Sequence, residues 1–347
     1  MNDRGMNDQD AALLALLETL HRQDYNFVPP TPETHRRVIS RPDRHEARDL
    51  RDVFGWSLPF APALLPGGML DLLDRGGMLQ REGERMRSGV RVARIEDRLF
   101  LHSCFPTEQE DAVFLGPDSY RFVAFLQSEL PRRARVISSQ VESPDDSEIT
   151  ANKEKQTQSR FNQTGIESGV RRLVDIGAGA GVGALMAAPY LPGARLTLAD
   201  VNPQALRLAS INARHAGIEV ELVEGDGIDA VSGLVDLAIA NPPYIMDPDA
   251  RTYRDGGDMH GARLSLDWTL AAARRLAPQG RVLLYTGVAI VDGRDALREA
   301  LARELPALGC ALRYREIDPD IFGEELDKPA YADVERIAAI GAVIEKS

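Results

Sequence analysis

At 347 residues, with 44% hydrophobic and 27% charged side chains, the sequence has the composition of a soluble chain long enough for two domains and a sizeable core. A formal net charge of -12 excludes a general electrostatic coat for nucleic acid, while leaving room for a local basic groove. Two distant cysteines, Cys104 and Cys310, exclude a disulfide framework, and no apolar run reaches bilayer length, so a cytoplasmic protein without a membrane partner is expected.

In chain order, a helix is expected near residues 11–22, followed by a proline-rich turn at Pro29, Pro30 and Pro32. Arginines between Arg36 and Arg51 interleave with Glu33, Asp43, Glu46, Asp49 and Asp52, which reads as a solvated helix face. A helix over 63–74 is interrupted by Gly67 and Gly68. Two alternating runs, 87–95 and 98–102, flank Glu96-Asp97 and read as a hairpin. Residues 1–104 thus form a smaller helical domain with a hairpin, either a cap or a winged-helix-like recognition module. Residues 105–347 form the second domain, with a flexible polar insertion at about 138–168, where large apolar side chains are nearly absent. From Val170 onward strands and helices alternate, which implies a parallel sheet covered on both faces. Strands are expected at 172–176, 195–199, 219–223, 235–240, 281–285, 311–316 and 336–343, and helices at 183–190, 203–216, 261–276 and 295–308.

The chemistry concentrates at the strand ends. In VDIGAGAGVG (174–183) an apolar strand runs into alternating glycines and then a helix, so that a ligand can approach backbone closely at Gly177, Gly179 and Gly181, beside Asp175. The second strand ends in Asp200, placed for ribose hydroxyls, and Asn202 before Pro203 is a helix cap beside it. Asp226, in EGDG (224–227), is placed to meet an adenine amino group. These residues imply a nucleoside-containing ligand without choosing between a dinucleotide and another cofactor.

The fourth strand ends in Asn241-Pro242-Pro243-Tyr244. Two prolines stiffen the loop and remove donors, leaving carbonyl oxygens and the Asn241 side-chain oxygen as fixed acceptors. Such a site suits a planar –NH2 group: Asn241 and the Pro242 carbonyl bind its two N–H bonds, and Tyr244 stacks on its plane. His102 and Cys104 form an H-x-C pair without a second metal-spaced cluster, so no metal is expected.

Together, VDIGAGAGVG, LADVNPQAL (198–206) and NPPY resemble the class I methyltransferases that modify amide or exocyclic amino nitrogens. The resemblance is strongest to the release-factor glutamine methyltransferases and related small-domain methyltransferases, from about Phe105 onward. It implies a Rossmann-like α/β sheet with helices on both faces. It further implies S-adenosyl-L-methionine as cofactor, held by Asp175, Gly177, Gly179, Gly181, Asp200, Asn202, Asp226 and Asn241, and a catalytic set of Asn241, Pro242 and Tyr244. VFLGPDSY (113–120) resembles the family's segment before a helix that closes over the cofactor. Arg251-Thr252-Tyr253-Arg254 stands where a Glu-Pro pair is usual, and FGEEL (322–326) and YADV (331–334) have no counterpart. The expected acceptor is a protein glutamine, as in a translation factor; an adenine or guanine amino group in RNA is the alternative, DNA being a weaker one. A different class, an NAD-dependent oxidoreductase or nucleotide-binding module, shares the glycine loop but not NPPY.

Overall fold

The computed structural model describes residues 6–107, 109–130, 170–247 and 254–347. The insertion expected at 138–168 lies outside them. The two strands that frame the glycine turn and the NPPY loop, β5 (Arg172–Ile176) and β8 (Val235–Ala240), lie side by side at the centre of an eight-stranded sheet.

Around them stand β6 (Arg195–Asp200) and β7 (Glu221–Glu224) on one side, and β9 (Leu276–Val291), β12 (Arg336–Lys346) and β11 (Cys310–Asp318) on the other. The order is β11-β12-β9-β8-β5-β6-β7, with the short β10 (Arg294–Asp295) folded back on β9. Neighbouring strands from β7 to β9 are parallel, and β12 runs antiparallel to both its neighbours. The order of connection reverses between β5 and β8, and ligands of open α/β sheets sit at such a reversal, beyond the carboxyl ends of the strands.

The central strands are mostly apolar because both faces of the sheet are covered. Val174, Ile176, Ala238, Ala240, Val282 and Leu284 face α8 (Arg263–Arg275) and α9 (Ala296–Glu304). Leu173, Leu237, Ile239, Leu283 and Tyr285 face α5 (Pro117–Glu129) and α6 (Val182–Ala187). α7 (Pro203–His215) follows β6, with Asn202 Oδ1 accepting from Gln204 N at 2.9 Å and Pro203 in its first turn, the cap read from the sequence.

The front of the chain holds α1 (Asp8–Arg22), α2 (Pro32–Ile39), α3 (Leu50–Phe54) and α4 (Met69–Arg75). Two ladders follow: β1 (Leu79–Glu82) with β2 (Arg85–Ser88), and β3 (Val90–Ile95) with β4 (Arg98–Ser103). The run expected as one strand over 87–95 therefore splits at Gly89, whose N–H donates to Met78 O at 2.6 Å. The stretch between Arg36 and Arg51 is not one solvated helix. Asp52 and His35 are buried, and the Asp52 carboxylate gathers Arg44 at 2.5 Å and both Nε and backbone N of Arg48 at 3.1 Å.

Leu13, Leu16, Leu17 and Leu20 of α1 share one core with Val92 and Leu101 of the β3–β4 hairpin, Leu185 of α6, and Leu208 and Ile211 of α7. Asn212 of α7 fastens this junction. Its Oδ1 accepts from Leu101 N at 2.8 Å, and its Nδ2 donates to Leu101 O at 3.1 Å and to Ala180 O at 2.9 Å. Ala180 belongs to the glycine turn, so β4 is tied to the loop that opens the ligand crevice. Among the described residues no helix is long and apolar enough to cross a membrane.

Candidate active site

A cavity of about 1120 Å³ lies at the carboxyl ends of β5, β6 and β8. That is at the upper end for one small-molecule ligand and leaves space for an acceptor group beside it. Gly177, Gly179, Asp200, Asn202, Asp226, Asn241, Pro242 and Tyr244 all line it.

The turn after β5 is built by backbone conformations that side chains disfavour: φ is +65° at Gly177, +54° at Gly179 and +81° at Gly181. A Cβ on Gly179 would meet nothing within 4 Å, so its bare backbone faces open cavity. A Cβ on Gly177 would stand 2.6 Å from Trp268 of α8. Asp200 closes the turn from β6, its Oδ2 accepting from Gly179 N at 2.8 Å and its Oδ1 from Asn202 N at 2.9 Å. Burial raises the Asp200 carboxyl above its usual range, while the backbone N–H groups of Asn202, Gly179 and Val201 oppose that shift.

Two residues expected to touch the cofactor stand behind the wall. Asp175 is buried beneath the turn, its Oδ2 accepting from Ala184 N at 2.8 Å, where it clamps the start of α6. Burial pushes its carboxyl up to about 7. Gly181 is the residue before α6 and packs toward Ala209 and Leu198, away from the cavity. Alternating glycines suggested that all three face the ligand; the turn instead points its third glycine into the helix packing. Asn202 lines the cavity, but its side chain caps α7 through Oδ1 and donates from Nδ2 to Asp111 O at 2.8 Å.

Beyond β8, the Tyr244 hydroxyl donates to Asp118 Oδ2 at 2.6 Å, and the Tyr285 hydroxyl of β9 donates to Asp118 Oδ1 at 2.8 Å. The Tyr244 ring packs against Gly287, where a Cβ would come within 2.3 Å of it, and meets Phe322 edge-on at 6.1 Å between centroids. Asp118 itself is buried, and its carboxyl is raised by that burial against the two hydroxyls and Arg121.

Residue types alone did not point to several wall residues. Trp268 and Leu264, four apart on α8, both face the cavity, and the indole fits because Gly177 and Gly227 lack side chains there. The FGEEL segment, which had no place in the resemblance, supplies Phe322, Glu324 and Glu325 to the rim. Glu325 is buried, and pairs with Arg254 and Lys328. From the front, Glu33, Arg36 and Arg37 of α2 reach the same rim, where Glu33 pairs with both arginines. Among the described residues, the lining carries twice as many carboxylates as cations, the cations being Arg36, Arg37, Arg254 and Lys328.

Residues 159–285 match the family profile "Methyltransferase small domain". A release factor glutamine methyltransferase of Deinococcus radiodurans is 34% identical over 161 residues, covering 44% of this chain and 55% of that protein. A ribosomal protein uL3 glutamine methyltransferase of Neisseria meningitidis is 32% identical over 150 residues, covering 40% of this chain and 48% of that protein. The chain thus spans about half the length of the curated relatives it matches. Among solved structures, a methyltransferase from Pyrococcus furiosus aligns at 18% identity and TM-score 0.37, over 65% of this chain and 97% of that one. The sheet order, the glycine turn and the NPPY loop meet at one crevice in a class I, Rossmann-like fold, and residues 159–285 are similar to the methyltransferase small domain.

Proposed function

We propose that this protein transfers a methyl group from S-adenosyl-L-methionine to a side-chain amide nitrogen of a protein, glutamine in a translation release factor being the first candidate. The observation that carries this reading is the NPPY loop at the end of β8, opening into the same cavity as Gly177, Gly179 and Asp200. The cavity suits the cofactor: bare backbone at Gly179 admits a ligand that a Cβ would exclude, and an excess of carboxylates suits a cation. Gly177, Gly179, Asp200 and Asp226 would hold it, with Trp268 as the flat wall. Asp175, Gly181 and Asn202 shape the turn and the helix start that present those residues.

S-adenosylmethionine supplies, when bound, an electrophilic methyl group. What this chain contributes is orientation. Asn241 Oδ1 and the Pro242 carbonyl accept the two amide N–H bonds, fixing the acceptor nitrogen, while the Tyr244 ring supports the amide plane. Positioning of this kind supplies most of the rate, and no strong base is needed because the surplus proton on the methylated nitrogen passes to solvent after transfer. The acidic lining opposes a polyanion at the mouth, which favours a polypeptide over RNA. Residues 1–104 act in this reading as the acceptor-side module, through α2 at the rim, and the enzyme works in the cytoplasm where translation factors are found. The test is transfer of labelled methyl from S-adenosylmethionine in a lysate lacking this enzyme. Label removed by protease and mapped to a glutamine of a release factor supports the proposal; label removed by ribonuclease overturns it.

A further inference from the structure

We propose that Asp118 is a positioning residue for the acceptor loop and acts through Tyr244. This inference rests on the methyl-transfer reading of that loop. Asp118 is the second residue of α5, an element outside the sheet, yet its carboxylate joins the loop after β8 to the middle of β9. One oxygen takes the Tyr244 hydroxyl at 2.6 Å and the other takes the Tyr285 hydroxyl at 2.8 Å. Both bonds are buried, and hydrogen bonds to a carboxylate are roughly twice as strong as neutral ones. Arg121, one turn along α5, lies 3.5 Å from Asp118 Oδ1 and pairs with Asp318 at the end of β11 at 2.9 Å. The Tyr244 ring is thereby held from three directions: its hydroxyl by Asp118, one face by the bare backbone of Gly287, and an edge by Phe322.

This arrangement has a purpose that packing alone does not require. A buried phenylalanine at 244 would fill the same space without needing a buried carboxylate. The carboxylate instead fixes the direction of the ring, and with it the backbone of Pro242 and Pro243, three residues or fewer from Asn241. Asp118 touches no reacting atom in this scheme, since both its oxygens are occupied by the tyrosines.

The full-length protein, Asp118→Asn, Tyr244→Phe and the double variant are compared in steady-state methyl transfer to purified release factor and in hydrogen exchange of residues 241–247. The single variants are expected to lower kcat by roughly ten- to a hundredfold, as small misplacements of reacting groups do. KM for the acceptor and Kd for S-adenosylmethionine should stay within about twofold of wild type. The double variant should be no slower than the worse single, because both substitutions break one connection. Losses that multiply in the double variant, or that fall on KM alone, overturn the proposal. If the wild-type protein binds S-adenosylmethionine but does not methylate release factor, the acceptor assignment fails on its own, and exchange decides. Faster exchange at 241–247 in both single variants, without a further increase in the double, supports Asp118 as positioning residue; unchanged exchange refutes it.

Discussion

Gly177→Ala separates two things a glycine can do at this turn. The backbone at 177 has φ +65°, and a residue with a Cβ loses roughly 1–2 kcal/mol there whether or not a ligand is bound. In addition the new Cβ would lie 2.6 and 2.7 Å from two ring carbons of Trp268. Comfortable carbon contacts are about 3.5–4.0 Å, so the indole or the turn must retreat by about 1 Å. Gly227 backs the indole on its other side, so the ring has little room except into the cavity. Gly193→Ala is the matched control, since its φ is +79° and nothing lies within 4 Å of its Cβ position. Both variants should show a lowered Tm. Only Gly177→Ala should lose affinity for S-adenosylmethionine, by about 1–3 kcal/mol if the clash costs what overpacking usually does, or roughly 5- to 150-fold in Kd. Isothermal titration calorimetry on the two variants measures this. A Gly177→Ala protein that binds as tightly as Gly193→Ala would show that Trp268 and the turn do not shape the cofactor site.

Other expectations follow from the same geometry. Asn241→Ala should abolish most turnover in the methyl-transfer assay while calorimetry shows cofactor binding preserved; equal loss of both would remove the acceptor role given to Asn241. Asn212→Ala strands Leu101 N, Leu101 O and Ala180 O in a buried junction. It should cost about 2–4 kcal/mol in denaturant unfolding, and a loss under about 0.5 kcal/mol would count against the junction. Asp175, whose carboxyl rises from 3.8 to about 7 on burial, keeps in the folded state a proton that the unfolded chain releases. Its contribution to stability is therefore complete below pH 3.8 and is lost as pH rises toward about 7. Asp175→Asn should flatten that decline, so the difference in Tm between variant and wild type should move in the variant's favour from pH 4 to pH 8; a constant difference would refute the assignment.

Much of the sheet is legible because a strand buried on both faces reads as a mostly apolar run: 172–176 and 235–240 coincide with β5 and β8. β9 was read too short, at 281–285, because Thr286-Gly287 looked like an ending. The strand continues to Val291 since β12 pairs with it as far as Ile290, and no local signal in β9 announces a partner 46 residues away. Asn241, Pro242 and Asp200 were visible because small polar or rigid residues at strand ends are unusual. Trp268 was not, because an aromatic on a helix looks like core, and Asp118 stood out only as part of VFLGPDSY, its bonds to Tyr244 and Tyr285 having no local signal. Whether a glycine faces a ligand or a helix, the distinction between Gly179 and Gly181, depends on which way the turn rotates, and the spacing alone does not encode that.

The position of β12 constrains how the molecule can assemble. It is the last described strand in the chain yet lies inside the sheet, between β9 and β11. Until residues beyond 336 are synthesised, one long edge of β9 has open hydrogen-bonding groups above and below an apolar surface, and β11 has nothing to pair with. An edge of that kind invites pairing with other chains. The nascent protein therefore passes through a stage in which its sheet is sticky although every segment that lines the ligand crevice has been made. A chaperone that shields the β9 edge would act at that stage, and truncations within β12 should yield aggregates rather than a smaller folded protein.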